Sequence, residues 1–247
     1  MKLIIKPLIG MVAGVLLASC AADGSPDLEG LTAAAQTALG GSDGGGPLST
    51  DEIVLGLKEA LVTGSNVVVS QLGQTDGFSA DPAIRIPLPR SLQNVRDFAS
   101  KVGLEGSFDE LELKLNRAAE AATPKAKELF LGAIRDMSVS DARGILQGPD
   151  NAATEYFRDK TGDDLQAQMR PIVDQALAQV GAVSSFNQLL TRYNAIPLAP
   201  KVEADLTGHV VEEGSDGIFF YLAEEEKAIR ENPLKRTSQI LQRVFGS

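Results

Sequence analysis

Four times along this chain a hydroxyl residue is followed, three positions on, by an acidic one: Ser49 with Glu52, Ser107 with Glu110, Ser138 with Asp141, and Thr161 with Asp164. Each pair precedes apolar residues at helical spacing. In such a pair the hydroxyl accepts from the orphan amides of a first helical turn while the carboxylate reaches back to the cap residue. A chain punctuated in this way is committed to helices. The predicted fold class is therefore all-α, an irregular multi-helix bundle with kinked helices and one long proline-rich loop.

The first box, with Leu48 and Ile53 placed as a hydrophobic staple, predicts a helix over 50–72 along the stripe Ile53, Leu57, Ala60, Leu61, Val68 and Leu72. The stretch DGFSADPAIRIPLPRS, 76–91, interrupts the pattern. Pro82, Pro87 and Pro89 each remove a backbone donor and turn the preceding residue away from helix, so an extended loop is expected to lead into a helix at about 90–101. A short strand in this loop would find no second strand to pair with.

Further helices are predicted from Ser107, bent at Pro124; from Ser138 to the QGP at 147–149; from Asp150 through Phe157; from Thr161 onward with a kink at Pro171; and from Val183 to Tyr193. Residues 203–213 and 221–229 read as two helices separated by a break at Gly214 or Gly217, with a strand over 218–222 as the alternative. A final helix is expected near 234–244.

The chain's start obeys a different logic. MKLIIK is basic, Leu8 to Ala18 is apolar and uncharged, and Leu17-Ala18-Ser19 brings small residues up to Cys20, the single cysteine of the chain. About a dozen apolar residues suit a signal peptide and fall short of a membrane span. The order of charge, apolar run, small residues and cysteine is that of a bacterial lipoprotein signal, with Cys20 as the lipidation site. Two or three acyl chains there, each buried methylene contributing about 0.8 kcal/mol, would make a durable anchor. Ala21, rather than an aspartate, follows the cysteine, which favours the outer membrane. The expected organisation is a signal over 1–19, a lipidated flexible tether over 20–47 ending in GGSDGGGP, and a single helical domain over 48–247.

Composition bounds the partners. With one cysteine no intrachain disulfide can form, so the body must hold by packing alone in an oxidising compartment. The chain carries 23 Lys+Arg against 33 Asp+Glu; losing Lys2 and Lys6 with the signal leaves 21 against 33, a charge near −12. That charge argues against nucleic acid and against adhesion to anionic head groups. Membrane contact is expected through the N-terminal anchor, and another envelope protein is the expected further partner.

TDGFSADPAIRIPLP at 75–89, LKLNRAAEAATPKAKELF at 113–130, GPDNAATEYFR at 148–158 and GIFFYLAEEEKAIRENP at 217–233 together resemble the bacterial lipoprotein family known as domain of unknown function 4197. The resemblance covers about 48–246. It implies a signal-bearing, mostly helical protein and carries over no activity.

Chemistry has little to build on. His209 is the sole histidine, with Glu212 and Glu213 on a compatible helix face but no second histidine, so no metal site and no cofactor are expected, and the residue reads as surface or capping. No G-x-S-x-G elbow marks a nucleophile and no phosphate loop is present. The run Glu224-Glu225-Glu226 reads as solvated helix surface. The polar residues that stand out are Arg85, between Ile84 and Ile86 and facing away from both; Asn116 and Arg117 beside small helical residues; Tyr156 and Arg158 around Phe157; and Tyr221, Glu225 and Arg230 after Phe219-Phe220. Two accounts compete for them. They receive a polar or anionic ligand in a cleft, or the arginines pair with Glu225, Asp76 or Glu120 and pin the loop to the bundle. The expected function is binding or scaffolding in the cell envelope, on the periplasmic side of the outer membrane and without catalytic residues. The alternative is an envelope hydrolase, or a small-ligand or lipid binder, built on the Arg/Glu set.

Overall fold

Ser49 starts α1 (Thr50–Leu72) as the sequence predicts: its hydroxyl accepts from the Glu52 amide at 3.2 Å while the Glu52 carboxylate accepts from the Ser49 amide at 2.8 Å. The computed structural model describes residues 49–93, 96, 105–195, 202–232 and 242. The signal, Cys20, the tether, the helix predicted near 234–244 and most of the one predicted at 90–101 lie outside the described residues.

After α1 come α2 (Glu105–Ala122), α3 (Lys125–Asp136), α4 (Val139–Gln147), α5 (Ala152–Gln179), α6 (Ala182–Asn194) and α7 (Leu206–Glu231). Among the described residues there is no strand, and the fold is an all-α, irregular multi-helix bundle. The two longest helices, α5 and α7, pack on each other; α1, α2 and α3 close around them, while α4 and α6 cover the ends. One continuous apolar core runs through all seven, with Phe78, Phe108, Phe130, Phe157, Leu115, Leu165, Met169 and Ile218 almost wholly out of solvent. Phe130 meets Phe157 and Phe219 with ring centroids 5.1 and 6.1 Å apart, in the tilted and edge-on arrangements aromatic quadrupoles favour. By length and composition α1 would also suffice to cross a membrane. It buries Leu57, Leu61, Val68 and Leu72 in this core, and a core helix meets the same test.

Several predicted boundaries move, each for a local reason. α2 is already helical at Glu105, so Ser107 lies inside its first turn, and Glu110 pairs with Lys114 and Ser185 instead of closing a box. Pro124 ends a helix where a bend was expected. It has no amide to offer the Glu120 carbonyl, so α2 stops at Ala122 and α3 restarts at Lys125. Ser138 and Asp141 form their box, and Gly148 closes α4 as read.

The helices predicted at 150–157 and from Thr161 are one, α5. Nothing between Phe157 and Thr161 breaks a helix, and the Thr161 hydroxyl donates to the Phe157 carbonyl at 2.7 Å rather than capping a new start. Asp150 does not cap it either. The break expected at Gly214 or Gly217 is likewise absent, and 218–222 is helical. Gly217 serves close approach: a Cβ there would sit only 2.8 Å from Phe78 Cε1 and 3.3 Å from Ile84 Cβ, whereas one on Gly214 would meet Met169 Cε at an ordinary 3.4 Å.

Candidate functional site

The proline-stiffened segment 76–89 is a strap laid across α2 and α7. Its apolar side chains, Phe78, Ile84, Ile86 and Leu88, all enter the core. A segment without regular structure must then satisfy its buried backbone groups elsewhere. α2 supplies the partners through two wholly or nearly buried side chains one helical turn apart.

Asn116 treats Ile86 as a strand would. Its Oδ1 accepts from the Ile86 amide and its Nδ2 donates to the Ile86 carbonyl, each at 2.9 Å; Nδ2 also donates to the Glu112 carbonyl at 2.9 Å. A primary amide carries two donors beside a separate acceptor oxygen, which is the set these three bonds use. One turn on, Glu120 Oε1 accepts from the amides of both Phe78 and Ser79 at 3.2 Å. Its other oxygen takes Arg117 Nη1 at 2.8 Å, and Arg117 Nη2 continues to Asp76 at 2.6 Å. The Glu120 hydrogen bond first, then that of Asp76, raises the guanidinium's pKa above its ordinary value. Asp76 itself takes the left-handed conformation, φ 70°, that turns the chain out of α1 and into the strap.

The strap's outer edge has its own fastenings. Arg85, half-exposed, pairs with Glu112 at 2.8 Å. Tyr221 donates its hydroxyl to Asp81, a hydrogen bond that pushes the phenol up to about 12. His209 Nε2 lies 2.7 Å from the Pro87 carbonyl; since that oxygen can only accept, Nε2 carries the proton.

A second clasp joins α7 to the start of α5. Asn151, the residue before α5, makes no capping bond through its side chain. The first amides of α5 are capped instead from another helix: Glu226 accepts from Ala153 N, Thr154 N and Thr154 Oγ1, all at 2.9 Å. A carboxylate at a helix N-terminus meets both unpaired donors and the positive end of the macrodipole. Arg230, one turn along, pairs with Glu226 at 2.9 Å and donates to the Ile145 carbonyl at the end of α4, also at 2.9 Å. One ion pair thus closes the corner between α4 and α5.

The remaining singled-out residues lie apart from these clasps. Tyr156 donates to the Ala133 carbonyl at 3.0 Å, tying α5 to α3, and burial raises its pKa. Arg158 pairs with Asp216 at 2.9 Å and lies over the Phe219 ring at 4.5 Å. Glu225 faces Gly64 of α1. The structure therefore gathers Arg85, Asn116, Arg117 and Tyr221 around the strap, Arg230 at the α4–α5 corner, and Tyr156 and Arg158 along α5.

Sequence reasoning names Glu120 as an arginine's partner but misses the strap amides it also accepts, and it reads Glu226 as solvated surface. Glu226 lies on the apolar stripe Ile218, Leu222, Ile229, four residues after Leu222 and three before Ile229, and that phase was the available signal. Among the described residues no group of three His, Cys, Asp or Glu side chains could hold a metal ion.

These contacts define a class: an all-helical bundle whose irregular segments are held by buried polar side chains reaching from the long helices. The chain belongs to the family described as a protein of unknown function, DUF4197, which matches residues 47–246. No curated protein and no solved structure matches it.

Proposed function

We propose that this is an envelope lipoprotein, anchored through Cys20 on the periplasmic side of the outer membrane, whose helical body works as a binding or scaffolding module. The observation that carries the reading is where the conspicuous polar residues spend their hydrogen bonds. Arg85, Arg117, Arg158 and Arg230 are each committed to a carboxylate of the same chain, and Asn116 and Glu120 to the strap's backbone. A ligand cleft built on the arginines would need them turned outward, so their pairing favours the pinning role. The signal layout before Cys20 supports the anchor, and the net negative charge supports membrane contact through the acyl chains alone.

Metabolic labelling with palmitate, followed by membrane fractionation, tests the anchor. Wild type should take up label and sediment with outer membranes, and Cys20→Ser should do neither. An unmodified thiol, or a cut downstream of Cys20, would sink the assignment. For the scaffolding role, in-cell cross-linking should join the anchored body to the same envelope protein in wild type and in Arg85→Ala. Loss of that product with Arg85→Ala, in a protein of unchanged melting temperature, would favour a site on the arginine instead.

A further inference from the structure

Several hydroxyls along the helices of this protein find partners in the chain. Thr161 and Thr191, within α5 and α6, donate back to the carbonyl four residues earlier at 2.7 and 2.8 Å, as does Thr123 just past the end of α2 at 2.9 Å, and Ser215 within α7 donates to the Glu212 carbonyl at 2.9 Å. Ser65, in the middle of α1 and 2% exposed, does not: its Oγ is fully buried and, among the described residues, makes no hydrogen bond to the protein. A buried hydroxyl without a partner is costly, and native structures rarely leave one so.

Ser65 lines a crevice between α1, the first turn of α5 and the second half of α7, whose wall also includes Gly64, Thr154, Phe157, Leu222 and Glu226. Its volume is about 20 Å³. One water needs roughly 10–15 Å³ on this measure and two to four polar partners. The volume suits one water. The partners are in the wall: Ser65 Oγ can donate and accept, and Thr154 Oγ1 retains an acceptor lone pair after donating to Glu226, whose carboxylate is already filled by the first turn of α5 and by Arg230.

We infer that this crevice is an internal hydration site, holding one ordered water that links Ser65 of α1 to the Thr154–Glu226 clasp. The water extends to α1 a polar junction that already ties α4, α5 and α7 together. It gives the helix next to the N-terminal tether a directional contact in a region otherwise joined by apolar packing.

High-resolution crystal structures of the full chain carrying Cys20→Ser, alone and with Ser65→Val, test this. The site predicts a density peak within hydrogen-bonding distance of Ser65 Oγ and of Thr154 Oγ1, and its loss in Ser65→Val, where a methyl group takes its place. In solution, water-oxygen magnetic relaxation should count one long-lived water fewer in Ser65→Val. A Ser65 hydroxyl turned to the Leu61 carbonyl with no density beside it would overturn the inference. So would a rise in melting temperature for Ser65→Ala together with an unchanged count of long-lived waters in Ser65→Val.

Discussion

Replacing Glu226 by alanine should be among the most damaging single changes in the helical body, although its neighbours Glu224 and Lys227 are exposed surface. The carboxylate accepts from two amides of α5, one threonine hydroxyl and one arginine, with its side chain 8% exposed and that of Arg230 14%. Truncation strips the first turn of α5 of its cap and leaves a guanidinium mostly out of water. Breaking a buried ion pair by removing one partner costs about 3–5 kcal/mol. That is a large share of the roughly 5–15 kcal/mol available to a typical domain. Glu226→Gln keeps the shape and one acceptor oxygen but loses the charge, so its cost should fall to about 1.5–3 kcal/mol, the range for a hydrogen bond to a charged group. Glu224→Ala should stay within about 0.5 kcal/mol of wild type. Urea unfolding of the Cys20→Ser chain, followed by ellipticity at the helical band, gives all three free energies. At roughly 2–4 °C per kcal/mol for a body of this size, Glu226→Ala should melt about 6–20 °C early. A Glu226→Ala protein within 1 kcal/mol of wild type, or one no less stable than Glu226→Gln, would refute the clasp.

Further expectations concern the strap and the glycines. Asn116→Ala orphans the Ile86 amide and carbonyl, at about 1–3 kcal/mol per buried group, and should lower the urea midpoint accordingly. Gly217→Ala drives a Cβ into Phe78 and should cost about 1–3 kcal/mol. Gly132→Ala, where a Cβ meets nothing within 4 Å in the middle of α3, should gain about 0.5–1 kcal/mol; equal effects in a thermal melt would contradict the close approach of α7 to the strap. Tyr221, raised to about 12 chiefly by its hydrogen bond to Asp81, binds its proton more tightly folded than unfolded. Its contribution is complete below the ordinary tyrosine pKa of about 10 and is lost as pH climbs toward 12, so Tyr221→Phe should flatten the stability profile over that window.

Much of the helical framework was legible because the signals were local. Ser49–Glu52 and Ser138–Asp141 each combine a cap, a reciprocal carboxylate and a following apolar stripe, and both helices start where these place them. The failures came where a tertiary contact overrides the local signal. Thr161 and Asp164 look like a start, yet Thr161 is buried and bonds backward along an unbroken α5. Gly214 and Gly217 look like breakers, yet α7 runs unbroken through both, and Gly217 lets it lie close against the strap. Among the polar residues that stood out, the Asp76 and Glu120 partners of Arg117 were named from the sequence, but the other partners were not legible. Arg85 finds Glu112 and Arg158 finds Asp216, at sequence separations that no periodicity encodes. The start of α5 shows the limit most clearly, since its cap lies 73 residues away in Glu226.

Amide hydrogen exchange at Phe78, Ser79 and Ile86 tests most directly the claim that buried side chains hold the strap to the bundle. Among the described residues these amides are bonded only by Glu120 and Asn116, so the account predicts that they exchange with the slow class of core helical amides, and that Asn116→Ala releases Ile86 selectively. Exchange of all three in wild type at the rate of an open loop would contradict it.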